Sequence, residues 1–358
     1  MLKSSLCLAV ALSLFGCSRT SLELGEIDDD AGAPHASPPR PMAKPPYHFM
    51  VLGYMPGSAS TEWTALSADG VAVAGLARFN DGVNWHIAPI VWTFESGVRP
   101  LDPAPTGDAF LDAAGADFRS FGGTSNESGS HAPFLWRDGV IEHPEATGVL
   151  NGVSPDLRFI VGNYLSRPDY IHGFLWSHET GQVDLGTIGS EEQSSAVAVS
   201  ADGRIVIGES GERAFRWTRD EGAAVLELPA GDGRSQVRDL SADGSVIAGR
   251  STHFERPDWT PLLWIDGVPT PLDVLARAEE NAVNAVTPDG RVAVGQSGEA
   301  AIWSRDGKVR SVRSELERFD DEQYYPELTE ALDVSVEGSV IFGKGMSGET
   351  PIYFVAWL

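Results

Sequence analysis

Short apolar runs of about five residues recur from residue 48 to Leu358, bounded by Gly, Asp, Asn and Pro. They are too short for helices. AVAVS (196–200) and RIVIG (204–208) are representative: each reads as a strand, and the Ala-Asp-Gly between them reads as a tight turn. The same unit, Ser-x-Asp-Gly followed by four mostly apolar residues and a closing Gly, occurs seven times. The copies are SADGVAVAG (67–75), GADFRSFGG (115–123), SPDLRFIVG (154–162), SADGRIVIG (200–208), SADGSVIAG (241–249), TPDGRVAVG (287–295) and SVEGSVIFG (335–343). Their closing glycines recur with a mean period of about 45 residues.

After each copy comes a second apolar stretch ending in Trp, at Trp92, Trp136, Trp176, Trp217, Trp264, Trp303 and Trp357. A further short run often follows, as in QVDLG (182–186). Four short antiparallel strands per repeat fit one propeller blade. The uninterrupted apolar runs fit strands covered on both faces by neighbouring blades, with the Trp packed between them. HFMVLG (48–53) aligns with the fourth strand of a later unit, whereas the last unit stops at its third. The expectation is therefore an all-β, seven-bladed β-propeller, closed when residues 48–53 complete the blade that contains 331–358. A transmembrane barrel is disfavoured, because it needs longer strands of alternating polarity. An open solenoid would need caps.

HAPFLW (131–136), HGFLW (172–176) and RAFRW (213–217), with the SADG…G and Asp184-Leu185-Gly186 elements, resemble the His-Ala-Phe signature of the HAF family of extracellular repeats. The resemblance covers about residues 48–358 and implies a secreted or surface propeller. It carries no catalytic assignment. The second unit, which lacks Asp-Gly, and Glu337 in the seventh depart from the pattern.

The N-terminus is of another kind. One Lys precedes the apolar run Leu6–Phe15, which is too short to span a bilayer. Leu14-Phe15-Gly16-Cys17 resembles a bacterial lipobox. The expected organisation is a lipoprotein signal peptide (1–16), a lipid-anchored Pro-rich tether (17–46) and the propeller (47–358). Cys17 is then the lipid attachment site and the membrane link. Loss of Cys7 with the signal would leave no disulfide. By resemblance, Ser18 suggests the outer membrane, with its periplasmic or surface side open.

Composition narrows the partners. With 51 acidic against 26 basic residues the net charge is −25, which argues against nucleic acid. The chain is expected to act as a monomer. No metal site, cofactor motif or catalytic constellation stands out, so the chain reads as a non-enzyme. The longest segments between second and third strands read as recognition loops: 78–89, 163–173 and 251–261. Candidate ligand contacts within them are Trp85, His86, Tyr164, Arg167, Asp169, Tyr170, Arg256, Asp258 and Trp259. The alternative is that Arg-Pro-Asp-aromatic merely makes a turn whose ring covers a blade edge. His131 and His172 occupy repeat-equivalent places and read as structural. The expected function is a binding or scaffold module for an extracytoplasmic protein, peptide or glycan. A carbohydrate-active enzyme using the funnel, or a purely structural envelope protein, are the rivals.

Overall fold

A computed structural model describes residues 48–115, 119–127, 130–253, 255, 258–275, 280–320 and 323–358. Cys17, the signal segment, the tether and Arg256 lie outside them. The described residues form seven four-stranded antiparallel sheets. Six are sequence-continuous: blade 1 (60–100), blade 2 (108–142), blade 3 (149–184), blade 4 (194–225), blade 5 (232–271) and blade 6 (281–311). Blade 7 (327–357) takes its fourth strand, Phe49–Val51, from the opposite end of the chain. That strand pairs with Thr350–Trp357 in the register Phe49↔Ala356 and Val51↔Phe354. Backbone bonds from Trp357 N–H to His48 O (2.9 Å) and from Leu52 N–H to Tyr353 O (2.8 Å) extend the clasp. The ring is thus closed by hydrogen bonding, and blade 7 presents no bare edge there.

First strands lie innermost. They are mostly buried, as in Asn281–Val286, whereas fourth strands such as Val268–Pro271 are largely exposed. First strands of successive blades also touch all the way round the ring.

The Ser-x-Asp-Gly turns explain the repeat. In blade 4 the Ser200 hydroxyl donates to Asp202 (2.8 Å) and accepts from Ile205 N–H (3.0 Å), while Asp202 accepts from Arg204 N–H (3.0 Å). Blades 1, 3, 5 and 6 repeat the Ser/Thr-to-Asp bond. The leading Ser is therefore as necessary as the Asp-Gly pair. Gly203 has φ +71, and a Cβ there would lie 2.4 Å from the Phe159 ring of blade 3. The equivalent glycines of blades 1, 5, 6 and 7 press in the same way on Val340, Ile205, Val246 and Val292 of the preceding blades. All these turns consequently sit at one end of the ring. Among the described turns, blade 3 departs from this pattern. It has Leu157 at φ 57, buried, where the preceding blade offers the small Ser120 instead of a branched or aromatic residue.

The closing glycines answer a second constraint. Every first strand carries a β-bulge opposite its closing Gly, at Thr64, Asp112, Asn151, Val197, Arg238, Asn284 and Leu332. The bulge swings a carbonyl inward. A Cβ at Gly162 would lie 1.9 Å from Val149 O, and one at Gly295 2.0 Å from Ala282 O.

Repeated tryptophans pack between blades: Trp92 of blade 1 clusters with Val340 and Phe342 of blade 7. Where the indole N–H is satisfied it bridges to the preceding blade, from Trp264 to Glu227 O (2.6 Å), Trp303 to Asp273 O (2.7 Å) and Trp136 to Pro103 O (3.1 Å). After blade 6 comes a short helix, Val312–Leu316, with the residues around it. This stretch buries Leu316 and Tyr325 near the clasp residue Phe49, and Phe319 stacks on His48 at 4.1 Å.

Candidate binding face and central channel

The segments read as recognition loops are in fact tall hairpins. In blade 1, Ala72–Asn80 and Trp85–Thr93 pair to the very tip, Asn80↔Trp85, so only residues 81–84 form a loop. Trp85 and His86 are strand residues, and so are Tyr164, Arg167, Tyr170 and Trp259. These stretches read as loops because a strand that rises clear of its neighbours has no buried face to mark it. Among the described residues the hairpin tips lie at the end of the ring opposite the Ser-x-Asp-Gly turns, since the second strand runs from one end to the other.

On blade 1, Trp85 is 61% and Val83 86% exposed, and His86 stacks on Phe79 at 5.7 Å. The tip is rigidified by Asp81, whose carboxylate accepts from Val83 N–H (2.8 Å) and Asn84 N–H (2.7 Å). The bond from Asn84, with that from Val83, holds its pKa below the usual carboxylate value.

On blade 3, Arg167 pairs with Tyr170 across a two-residue tip, Pro168-Asp169, in which Asp169 has φ 72. The Arg167 guanidinium lies over the Tyr170 ring at 4.8 Å. Tyr164 faces its cross-strand partner His172, whose Nδ1 lies 2.9 Å from the Asp184 carboxylate. Burial works against the charge of Asp184, but His172 and the Gly186 N–H hold its pKa below the usual range. His172 is thus occupied within the blade, and Tyr164 meets the Phe174 ring edge-on at 6.2 Å.

On blade 5, Asp258 is exposed and Trp259 packs under Arg250, whose guanidinium lies 4.1 Å from the ring centroid. Trp85, Tyr170 and Trp259 therefore share one end of the ring, but on blades 1, 3 and 5. They form a dispersed face.

A second group of side chains escaped the sequence reading. The residue after each closing Gly is Leu76, Thr124, Asn163, Glu209, Arg250, Gln296 or Lys344. Six of these seven are polar within otherwise apolar strands, which was the available signal. With the bulge residues they ring the axis. Arg250 Nε donates to Gln236 Oε1 (2.8 Å) and Arg250 pairs with Glu280 (3.6 Å). Asn284 Nδ2 donates to Glu330 Oε1 (2.8 Å), and Lys344 pairs with Glu330 at 2.5 Å. Arg238 is buried. Its burial lowers the guanidinium pKa, and Glu209 of blade 4 and Glu330 of blade 7 oppose that shift. Burial raises the Glu209 carboxyl pKa despite Arg238 beside it.

Bulge side chains also stitch blade to blade. Thr64 Oγ1 donates to Leu111 O (2.9 Å), Asn151 Nδ2 to Ala196 O (2.8 Å) and Asn284 Nδ2 to Ala331 O (2.9 Å). Each acceptor is the carbonyl just before the next blade's bulge. Blade 2 places Asp112 at this donor position. Burial pushes the Asp112 carboxyl up to about 8, against the bonds from Thr124, whose Oγ1 donates at 3.0 Å. A protonated Asp112 can serve as a donor as Thr and Asn do elsewhere.

Among the described residues no group of three or more His, Cys, Asp and Glu could hold a metal ion. Nor is any helix among them long and apolar enough to cross a membrane.

No family model matches the chain, and no curated protein matches it. Solved structures do. TolB from Acinetobacter baumannii is 18% identical with a TM-score of 0.45, over 67% of this chain and 63% of that one, so the chain spans less than two thirds of TolB's length. An oligogalacturonate lyase from Vibrio parahaemolyticus is 12% identical with a TM-score of 0.55, over 82% of this chain and 88% of that one. The propeller domain of the trilobed protease from Pyrococcus furiosus, described as having an open velcro topology, is 9% identical with a TM-score of 0.57, over 83% and 95%. At these identities the likeness is one of fold. Prolyl endopeptidases and an acylaminoacyl peptidase also match, although the chain covers only 48% and 51% of those chains.

The non-enzyme expectation is thereby corrected. It rested on the lack of a recognisable motif, yet this fold occurs among enzymes, including the oligogalacturonate lyases. Residues that converge from different blades leave no contiguous motif, so the missing motif carries no weight.

Proposed function

We propose that the chain is a binding and scaffold module of the bacterial envelope. Lipid on Cys17 would anchor it in the outer membrane, with residues 17–46 as the tether and the propeller as a monomeric platform. Its partner is an extracytoplasmic protein, peptide or glycan held on the hairpin face. The observation that carries this reading is the exposure of Trp85 and Val83 at the tip of a hairpin rigid enough to be paired to its last residues. Aromatic anchors on preorganised elements are the usual centres of binding energy. The resemblance to HAF repeats and the lipobox-like Leu14–Cys17 segment support the extracytoplasmic setting. The test is capture of partners from native envelope by the full chain and by a Trp85→Ala/Tyr170→Ala/Trp259→Ala variant. Partners lost by the variant, at unchanged melting temperature, support the reading; equal capture refutes it.

One observation favours a second reading, a carbohydrate-active enzyme working in the channel. Asp112 and Glu209 are channel carboxyls with raised pKa, the property a general acid needs near neutral pH. Polysaccharide turnover by the wild type, abolished in Asp112→Asn, would support it; no turnover of neutral or acidic polysaccharides would count against it.

A further inference from the structure

The wall of the central channel carries its charges in opposed pairs, and one carboxyl is left over. Arg78 pairs with Glu62 (3.3 Å), Arg250 with Glu280 (3.6 Å) and Lys344 with Glu330. Arg238 is buried in the fields of Glu209 and Glu330. Those charges lie on blades 1, 4, 5 and 7 and at the start of blade 6. Blades 2 and 3 are different. At the same levels they offer Phe110, Asp112 and Thr124, and Val149, Asn151 and Asn163. Asp112 is the one acid of these six, and among the described residues no cation pairs with it.

The surroundings of Asp112 are fixed. The Thr124 hydroxyl accepts from Leu150 N–H of blade 3 (3.0 Å), so its own proton is directed to Asp112 Oδ2 (3.0 Å). Oδ1 is left for another partner. Phe110 is the cross-strand partner of Thr124 and lies two residues before Asp112, so ring and carboxyl flank the same hydroxyl. Both keep partial solvent contact, which on an innermost strand is contact with the channel.

The strands packed against this one bring no free charge to Asp112 among their described side chains. Asp108, farther along the same strand, accepts from Ile87 N–H of blade 1 (2.8 Å). Glu62 and Arg78 of blade 1 hold each other, and His86 is stacked on Phe79 at the hairpin tip. Thr64 commits its hydroxyl to Leu111 O, and the blade 3 strand Val149–Val153 is uncharged.

A carboxyl beside an aromatic ring and a hydroxyl, out of reach of the chain's own cations, complements an ammonium group. We infer that the channel binds a primary ammonium ligand at Asp112, with an N–H on Oδ1 and the Phe110 ring alongside the charge. A free amine, a peptide N-terminus and a lysine side chain all present this group. Burial raises the Asp112 carboxyl to about 8, so near neutral pH binding exchanges one cation for another. The carboxyl O–H gives its proton to solvent, and the ammonium, keeping its own three protons, becomes the counter-ion. This site is distinct from the hairpin face and does not depend on a partner there.

The test is isothermal titration calorimetry of the full chain with n-butylammonium, triglycine amide and Nα-acetyl-lysine amide. Butanol and N-acetyl-triglycine amide serve as neutral counterparts, all at about 150 mM NaCl. At least one ammonium ligand is expected to bind about tenfold or more tightly than the neutral compounds, and the strongest of the three identifies the source of the group. Its affinity should rise roughly tenfold per pH unit from pH 6 to 7 and level off above about pH 8, with about one proton released at pH 6.5, counted by repeating the titration in buffers of different ionisation heat. Asp112→Asn keeps an acceptor for Thr124 but no charge, and should lose about tenfold in affinity together with the pH slope. Asp266→Asn, exposed at the turn end, should change affinity by less than about twofold. Equal binding of ammonium and neutral compounds, a preference that survives in Asp112→Asn, or ammonium binding without proton release overturns the inference.

Discussion

Replacing Asp112 by Asn tests the blade-to-blade stitching and the electrostatics of the channel together. Asp112 occupies the bulge position at which Thr64, Asn151 and Asn284 donate to the next blade, and its carboxyl is raised from 3.8 to about 8. In the unfolded chain the carboxyl ionises near its ordinary value. The folded protein therefore binds the proton more tightly. This contribution to stability is whole below about pH 4 and is lost progressively as pH rises to about 8. At about 1.4 kcal/mol per unit, a shift of about four units sets a ceiling of roughly 6 kcal/mol. Asp112 keeps partial solvent contact, so about 2–4 kcal/mol is the expected loss. Asn supplies a permanent N–H donor and can still accept from Thr124, so it has no such slope. Urea unfolding followed by tryptophan fluorescence, from pH 5 to pH 9, measures the difference. Asp112→Asn should gain on the wild type as pH rises and level off above about pH 8. A pH-independent difference, or a variant less stable than the wild type at pH 9, would refute the assignment.

Other consequences can be checked separately. Gly203→Ala must accept φ +71 and place its Cβ against the Phe159 ring, so it should cost about 2–5 kcal/mol in urea unfolding, while Gly181→Ala, also at positive φ but with open space around it, should cost only about 1–2. Deleting 47–55 removes the fourth strand of blade 7 and should abolish cooperative unfolding of the whole ring; a truncated chain with an unchanged melting curve would show that closure is dispensable. Trp264→Phe leaves Glu227 O without its indole donor and should lower stability by about 1–3 kcal/mol.

The seven blades were legible because each imposes the same local constraints. Asp-Gly fixes a turn, the closing Gly admits the bulge carbonyl, and Trp fills an inter-blade gap. The clasp was legible too, since 48–53 read as a fourth strand without a blade and Trp357 as a third strand without a successor. Hairpin height was not. The pairing of Asn80 with Trp85 depends on cross-strand bonding outside the core, where no apolar period records it. The channel was least visible. Glu209, Arg238 and Glu330 lie in blades 4, 5 and 7, and nothing local in the sequence couples them. Trp85, Tyr170 and Trp259 came from composition and loop length, which placed them at one end of the ring but could not tell that alternate blades keep them apart.

The proposed binding face is the centre of this account, and hydrogen exchange on the full chain, with and without an envelope-derived partner, tests it most directly. Partner-dependent protection should fall on the hairpins around 79–86, 164–172 and 251–260 and leave the turns at 67–70, 200–203 and 241–244 unchanged. Protection confined to those turns would contradict it.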